Sequence, residues 1–213
     1  MKGFNRIGRW LLAPLFLLGL SGMNPAHSSS VNEVGLGEMA SASELVFEGR
    51  VLAVDSSWTE DGRSIRTDVT YEVLDVIKGS TTGRTITLTF LGGTVGHLRL
   101  SITDLNMPVP GEKGVYFVES TGSQQVNPLY GWSQGHFLLV KDPSGRGERV
   151  LTADARPVTG LEQAGFHAKS RGLSEGVARG VKTSDPSRIG EALDRQAFVE
   201  SLRDLVLTGA RGA

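Results

Sequence analysis

The chain has 213 residues, 39% of them hydrophobic and 21% charged, and its 22 basic and 23 acidic side chains leave a net charge of -1. That balance excludes a disordered or collagen-like polymer and supplies no basic surface for nucleic acid. With no cysteine in the sequence, a disulfide framework, a thiol nucleophile and a cysteine-ligated zinc are excluded as well.

Residues 1–28 read as an export leader. Lys2, Arg6 and Arg9 form a positive start, Trp10 to Leu20 an apolar core, and Ala26 and Ser28 the pair of small residues that a signal peptidase reads. This core is shorter than the about 20 apolar residues a spanning helix needs. The expectation is cleavage before Ser29, no membrane span afterwards, and a periplasmic or secreted protein. Losing the three leader cations makes the remainder more acidic, which argues further against a nucleic-acid partner.

After a polar stretch, Leu36 to Ser43 is predicted to form a short helical segment with Leu36 and Met39 on one side. From Leu45 the apolar period becomes two: Leu45, Phe47 and Val51 fall on one face, and Val46, Glu48 and Val54 on the other. Asp55 to Arg63, with Asp61-Gly62, reads as a hairpin connection. Ile65 to Ile77 is a long strand whose parity shifts after Val73, the mark of a bulge. Thr85 to Leu91, His97 to Thr103, Val115 to Glu119, His136 to Lys141 and Arg149 to Thr152 are further strand-length runs. Closely spaced turn signals without long helical patterns favour a mainly β fold, a small antiparallel OB-like barrel over residues 29–156. Residues 157–184, with Gly160, Gly165, Gly172, Gly176 and Gly180, sustain no period and read as a loosely ordered extension. Asp185-Pro186 then opens a C-terminal amphipathic helix over 185–208, with Leu193, Phe198, Leu202 and Leu205 at helical spacing.

One string matches a catalytic pattern. Gly131-Trp132-Ser133-Gln134-Gly135 is G-x-S-x-G, with His136 directly after it. The chemistry of a nucleophile elbow needs a strand before the serine and a helix after it, whereas here a strand follows. His167, with Asp142 or Asp154, would have to complete the relay. The glycines serve equally well for a tight turn into a strand. His97, His136 and His167 are too widely spaced for a preformed metal site. Gly92-Gly93-Thr94 lacks the lysine of a phosphate loop, and Gly35-x-Gly37 has no strand before it. No catalytic residue, metal ligand or cofactor is assigned. Trp58, Tyr130 and Trp132 are the candidate binding aromatics, with core packing as their alternative role.

Three strings, Ser43-Glu44-Leu45-Val46-Phe47-Glu48-Gly49-Arg50-Val51, Arg66-Thr67-Asp68-Val69-Thr70-Tyr71-Glu72-Val73 and Val76-Ile77-Lys78-Gly79, resemble the first half of secreted OB-fold barrels of the netrin-like type, the class that contains tissue inhibitors of metalloproteinases. The resemblance covers roughly Leu36 to Lys141. It implies a barrel and names a secreted protease as one candidate partner. The disulfides of that class and its zinc-chelating N-terminal cysteine have no counterpart here, so no functional residue carries over. The expected function is an exported, non-enzymatic binding module for a protein or an envelope polymer. The alternatives are a serine hydrolase using Ser133 and a carrier of a small apolar ligand, which would need a wider barrel with a cavity.

Overall fold

Sustained alternation from Leu45 and again from Ile65 extends the chain into two long strands, and the rest of the fold is laid against them. The computed structural model describes residues 31–162 and 172–209; the expected export leader over 1–28 and His167 lie outside the described residues. In chain order come α1 (Leu36–Ala42), β1 (Leu45–Trp58), β2 (Ile65–Lys78), β3 (Thr85–Leu91), β4 (Gly93–Val95), β5 (Leu98–Leu100) and β6 (Lys113–Val118). They are followed by β7 (His136–Lys141), β8 (Glu148–Thr152), β9 (Val158–Leu161), β10 (Val181–Thr183) and α2 (Arg195–Gly209). Six strands form one antiparallel sheet in the order β3-β2-β1-β6-β7-β8, and β4-β5 and β9-β10 are separate two-stranded pairs.

The expected parity shift in β2 is present. Leu74 stands between the pairs Gly49↔Val73 and Glu48↔Asp75, and Leu52 of β1 is likewise skipped between Val51 and Ala53. These bulges bend the long hairpin, but the sheet does not close into the expected barrel: β3 and β8 remain its two edges. The reason lies in the outward face. A small barrel buries its inner face and leaves the other wet, whereas here Val46, Val115, Phe117, Phe137, Leu139 and Val150 are also buried, under α1 and α2. The inner face carries its own core of Leu45, Phe47, Val51, Val69, Tyr71, Leu88, Phe90, Tyr116 and Val118. A sheet with apolar residues on both faces is covered on both sides and has no need to curl shut.

The β8 edge is finished by other segments of this chain. Val150 N donates to Leu193 O at 3.0 Å, and isolated bridges join Arg149 to Asp194 and Leu151 to Pro157. This use of residues 192–194 moves the C-terminal helix. Asp185 caps a 3-10 turn over Pro186–Glu191, accepting from Ser187 N at 2.9 Å, and α2 begins at Arg195, capped by Asp194 through Ala197 N at 3.0 Å. The expected helix start at 185 is therefore displaced by about ten residues, because the intervening backbone pairs with the sheet instead.

The expected loose extension is pinned wherever it is described. β9 pairs β10, Ala178 and Val158 sit in the core, and residues 31–35 run beside 172–179 through Glu33 N to Gly172 O and Leu36 N to Arg179 O, both 3.0 Å. These partners lie far away in sequence, so no local period announces them. At the opposite corner, Lys78 Nζ donates to Ala40 O at 2.9 Å and Ser41 O at 2.5 Å, closing the C-terminal end of α1.

α2 docks through Phe198, Val199 and Leu202, all buried, and the Phe198 ring lies 5.0 Å from Phe137. Phe198→Ala should cost about 3 to 5 kcal/mol, since it opens a cavity in a packed core. Denaturant unfolding monitored by far-UV circular dichroism measures it.

Candidate functional site

The three candidate aromatics are not brought together. Trp58 closes β1 opposite Ile65 and is 43% exposed. Tyr130 lies at the other end of the sheet, its N donating to Phe117 O at 2.8 Å and its hydroxyl to Glu38 Oε1 of α1 at 3.4 Å. Phe117 pairs with Val46, near the start of β1. Almost the full length of β1 therefore separates Trp58 from Tyr130 and Trp132. Tyr130 is half-buried, and burial, followed by the nearby Glu38 charge, raises its phenol above the usual range. It is built as a packing residue with a tethered hydroxyl.

The G-x-S-x-G string has a structural account at each position. Gly131 and Trp132 adopt left-handed backbone, with φ of 66° and 61°, and a 3-10 turn over Trp132–Gly135 leads directly into β7. A side chain at Gly135 would overlap Tyr130 O. Gln134 is buried and fastens the start of the described chain, its Oε1 accepting from Val34 N at 2.9 Å and its Nε2 donating to Asn32 O at 3.0 Å. The strand follows the serine, so no helix N-terminus supports an oxyanion. Ser133 is 8% exposed, and its Oγ and Asp154 both border Gly176, but among the described residues it makes no hydrogen bond to an imidazole. Asp154 accepts from Asn106 Nδ2 at 2.8 Å.

Asp142, the other candidate acid, is committed elsewhere. Its Oδ1 accepts from Ser144 N at 2.7 Å, and its Oδ2 receives Arg149 Nε at 2.7 Å and an Arg149 terminal nitrogen at 2.6 Å. The Ser144 hydrogen bonds, then those of Arg149 and its charge, pull the carboxyl down from 3.8 to about 2. The group closes the β7–β8 turn, and among the described residues it meets no histidine.

Two polar clusters escaped sequence reasoning because each is assembled by tertiary contact. In one, His136 of β7, 3% exposed, stacks on Tyr116 of β6 with ring centroids 4.9 Å apart. Its Nε2 is 2.9 Å from Glu112 Oε1, although the ring is not aligned for a hydrogen bond. The Tyr116 hydroxyl donates to the same oxygen at 3.2 Å. Tyr71 packs edge-on against Tyr116 at 4.7 Å. Burial holds both phenols well above their usual range, so they stay neutral. In the other, Glu48 is 1% exposed and is met by Lys113 Nζ at 3.0 Å and Arg195 Nε at 2.7 Å, with Glu148 completing the group 2.6 Å from Lys113. The first is enclosed; in the second Glu48 is buried while Arg195 and Glu148 reach the surface, and both clusters tie elements of the fold together. His97 is exposed in the β4–β5 turn, remote from buried His136, and no three metal-ligating side chains cluster among the described residues.

In the six-stranded sheet, the surface with unspent bonding capacity among the described residues is the outer edge of β3. Val73 N donates to Arg84 O at 2.8 Å and Gly92 N to Ile65 O at 2.7 Å, while Leu91 N turns away from β2 to Val126 O at 2.8 Å. Because alternate residues of an antiparallel strand face a given neighbour, Ile86, Leu88 and Phe90 bond to β2, and Thr85, Thr87 and Thr89 point their amides and carbonyls outward. Among the described residues nothing takes these outward groups. The strand, Thr-Ile-Thr-Leu-Thr-Phe-Leu, has no charge, proline or glycine, and its register with β2 is unbroken. Apart from the loop contact at Leu91, it has none of the devices by which natural proteins blunt an edge. The absence of charge is the one signal of this surface that is legible in the sequence.

No family model, curated protein or solved structure matches the chain.

Ser133→Ala should change stability by about 1 kcal/mol or less, as for a turn hydroxyl, and should leave unchanged any ester hydrolysis that the purified protein displays. Abolition of such hydrolysis with the fold intact would reinstate the nucleophile. Asp142 carries a separate pH signature. Its folded carboxyl titrates at about 2 against the usual 3.8, so the stability it contributes is present above 3.8 and is lost as pH falls toward 2. The gap in melting temperature between the wild type and Asp142→Asn should accordingly close on acidification from about pH 5 to about pH 2.

Proposed function

We propose that this chain is an exported, non-enzymatic binding module that recognises a protein by accepting an extended segment of it as a seventh strand beside β3. Export rests on the leader over 1–28. The observation that carries the binding mode is the row of outward amides and carbonyls at Thr85, Thr87 and Thr89 on an uncharged edge. Donors and acceptors alternating at strand spacing are the complement of another polypeptide backbone. This favours a protein over an envelope polymer, whose hydroxyls share no such repeat. The opposite edge, β8, is occupied by the chain's own residues 157 and 193–194, so only one side of the sheet offers this chemistry. A secreted protease presenting an extended loop is one partner of this kind.

The hydrolase alternative is disfavoured by the strand after Ser133 and by the commitment of Asp142 to Ser144 and Arg149. The small-ligand carrier is disfavoured by the open sheet, whose inner face is filled by Phe47, Tyr71, Phe90 and Tyr116.

The test is a substitution that spares the fold. Thr87→Pro removes one outward amide without breaking the β2 ladder, and proline is tolerated on an edge facing solvent. Immobilised wild-type protein should retain an envelope or culture-fluid protein that Thr87→Pro binds about tenfold more weakly or worse. Hydrogen exchange should slow at the Thr85, Thr87 and Thr89 amides in the wild-type complex. Undiminished capture by Thr87→Pro, or unchanged exchange at these amides, would place the interaction elsewhere.

A further inference from the structure

We infer that, without a partner, the outer edge of β3 pairs with the β3 of a second copy of this chain about a two-fold axis through Thr87, so that self-association masks the docking strand. The inference rests on the proposed strand-addition reading of this edge and names what else fits it.

Three features select a second copy. The first is charge. A strand that meets itself antiparallel sets a charged residue on the axis against its own duplicate, and like charges directly opposite are destabilising; Thr85 to Leu91 carries none. The second is register. A two-fold axis at Thr87 sets Thr87 against its own copy and Thr85 against Thr89 of the other chain. These are the residues whose amides and carbonyls point outward, so each facing pair exchanges both of its hydrogen bonds. The third is side-chain matching. On the solvent face threonine meets threonine, extending the ladder already present where Thr70 and Thr87 hydroxyls lie 3.0 Å apart and Thr89 donates to Asp68 at 2.6 Å. On the core face, half-buried Ile86 meets Leu88 of the other chain, in the non-hydrogen-bonded pair where side chains approach most closely. The contact that Leu91 N makes with Val126 O limits the free window to the Thr85–Thr89 stretch that this register uses.

Sedimentation equilibrium of the purified protein should give a concentration-dependent monomer–dimer equilibrium. Thr87→Lys and Thr87→Glu each place like charges face to face on the axis, and each variant alone should be monomeric where the wild type is dimeric. An equimolar mixture of the two should recover a dimer, because the mixed pair faces lysine with glutamate. Far-UV circular dichroism of each variant checks that the sheet is retained, and Thr87→Pro supplies a monomeric variant of different chemistry. A wild type that is monomeric at every accessible concentration, a dimer insensitive to all three variants, or variants whose mixture stays monomeric would each overturn the inference. If the wild type is monomeric but Thr87→Pro still loses the captured partner, self-pairing fails while strand addition stands. If Thr87→Pro alters neither oligomeric state nor capture, both fail.

Discussion

Glu48 sits at the centre of the sheet with almost no solvent, and much of the architecture is arranged around keeping its charge tolerable. An isolated carboxylate in such a place costs several kcal/mol or more in lost hydration. Lys113 from the neighbouring strand and Arg195 from the first turn of α2 reach it from two directions, and Glu148 of β8 balances the second cation. Four elements, β1, β6, β8 and α2, thereby meet at one point. The group says where α2 must start: Arg195 is its first residue, placed by the cap at Asp194 and by the backbone pairing of Leu193 with Val150 and Val158. Removing either cation would leave Glu48 and Glu148 sharing the one that remains, a larger loss than breaking an exposed pair.

The same requirement gives the sheet its two sides. With α2 anchored at Glu48, the stripe formed by Val46, Phe117, Phe137 and Val150 is covered by helices, and the inner face is filled by stacked aromatics. Coverage on both faces removes the pressure to close a barrel, and it leaves the problem of edges. β8 solves it with the chain's own extended segments. β3 does not, among the described residues, and this asymmetry leaves the unpaired backbone of the six-stranded sheet at one margin.

Motifs that look chemical in one dimension serve packing in three. The glycines around Ser133 permit a left-handed turn and a close approach to Tyr130 O, and the polar residue with most to do there is Gln134, which ties down Asn32 and Val34. His136, three residues after the serine in sequence, alternates to the inner face and joins Glu112 and Tyr116. Burial lifts the phenols of Tyr71 and Tyr116 out of reach of ordinary pH, so both tyrosines stay neutral beside the Glu112 carboxylate.

By itself the sequence determined the local structure: the period-two runs of β1, β2, β3, β7 and β8, the bulge after Val73, the short helix from Leu36, and the apolar stripe of Phe198 and Leu202. Each is written in neighbouring residues, through side-chain alternation or helical spacing. Only the tertiary structure decided that the sheet stays open, that α2 starts at Arg195 and not at Asp185, and that residues 172–184 are pinned to 31–35 and β9. It alone separated Trp58 from Tyr130 and Trp132, and it alone left Thr85, Thr87 and Thr89 facing outward. These outcomes depend on which backbone groups find partners far along the chain, and hydrogen-bond satisfaction between distant segments leaves no periodic trace in either of them.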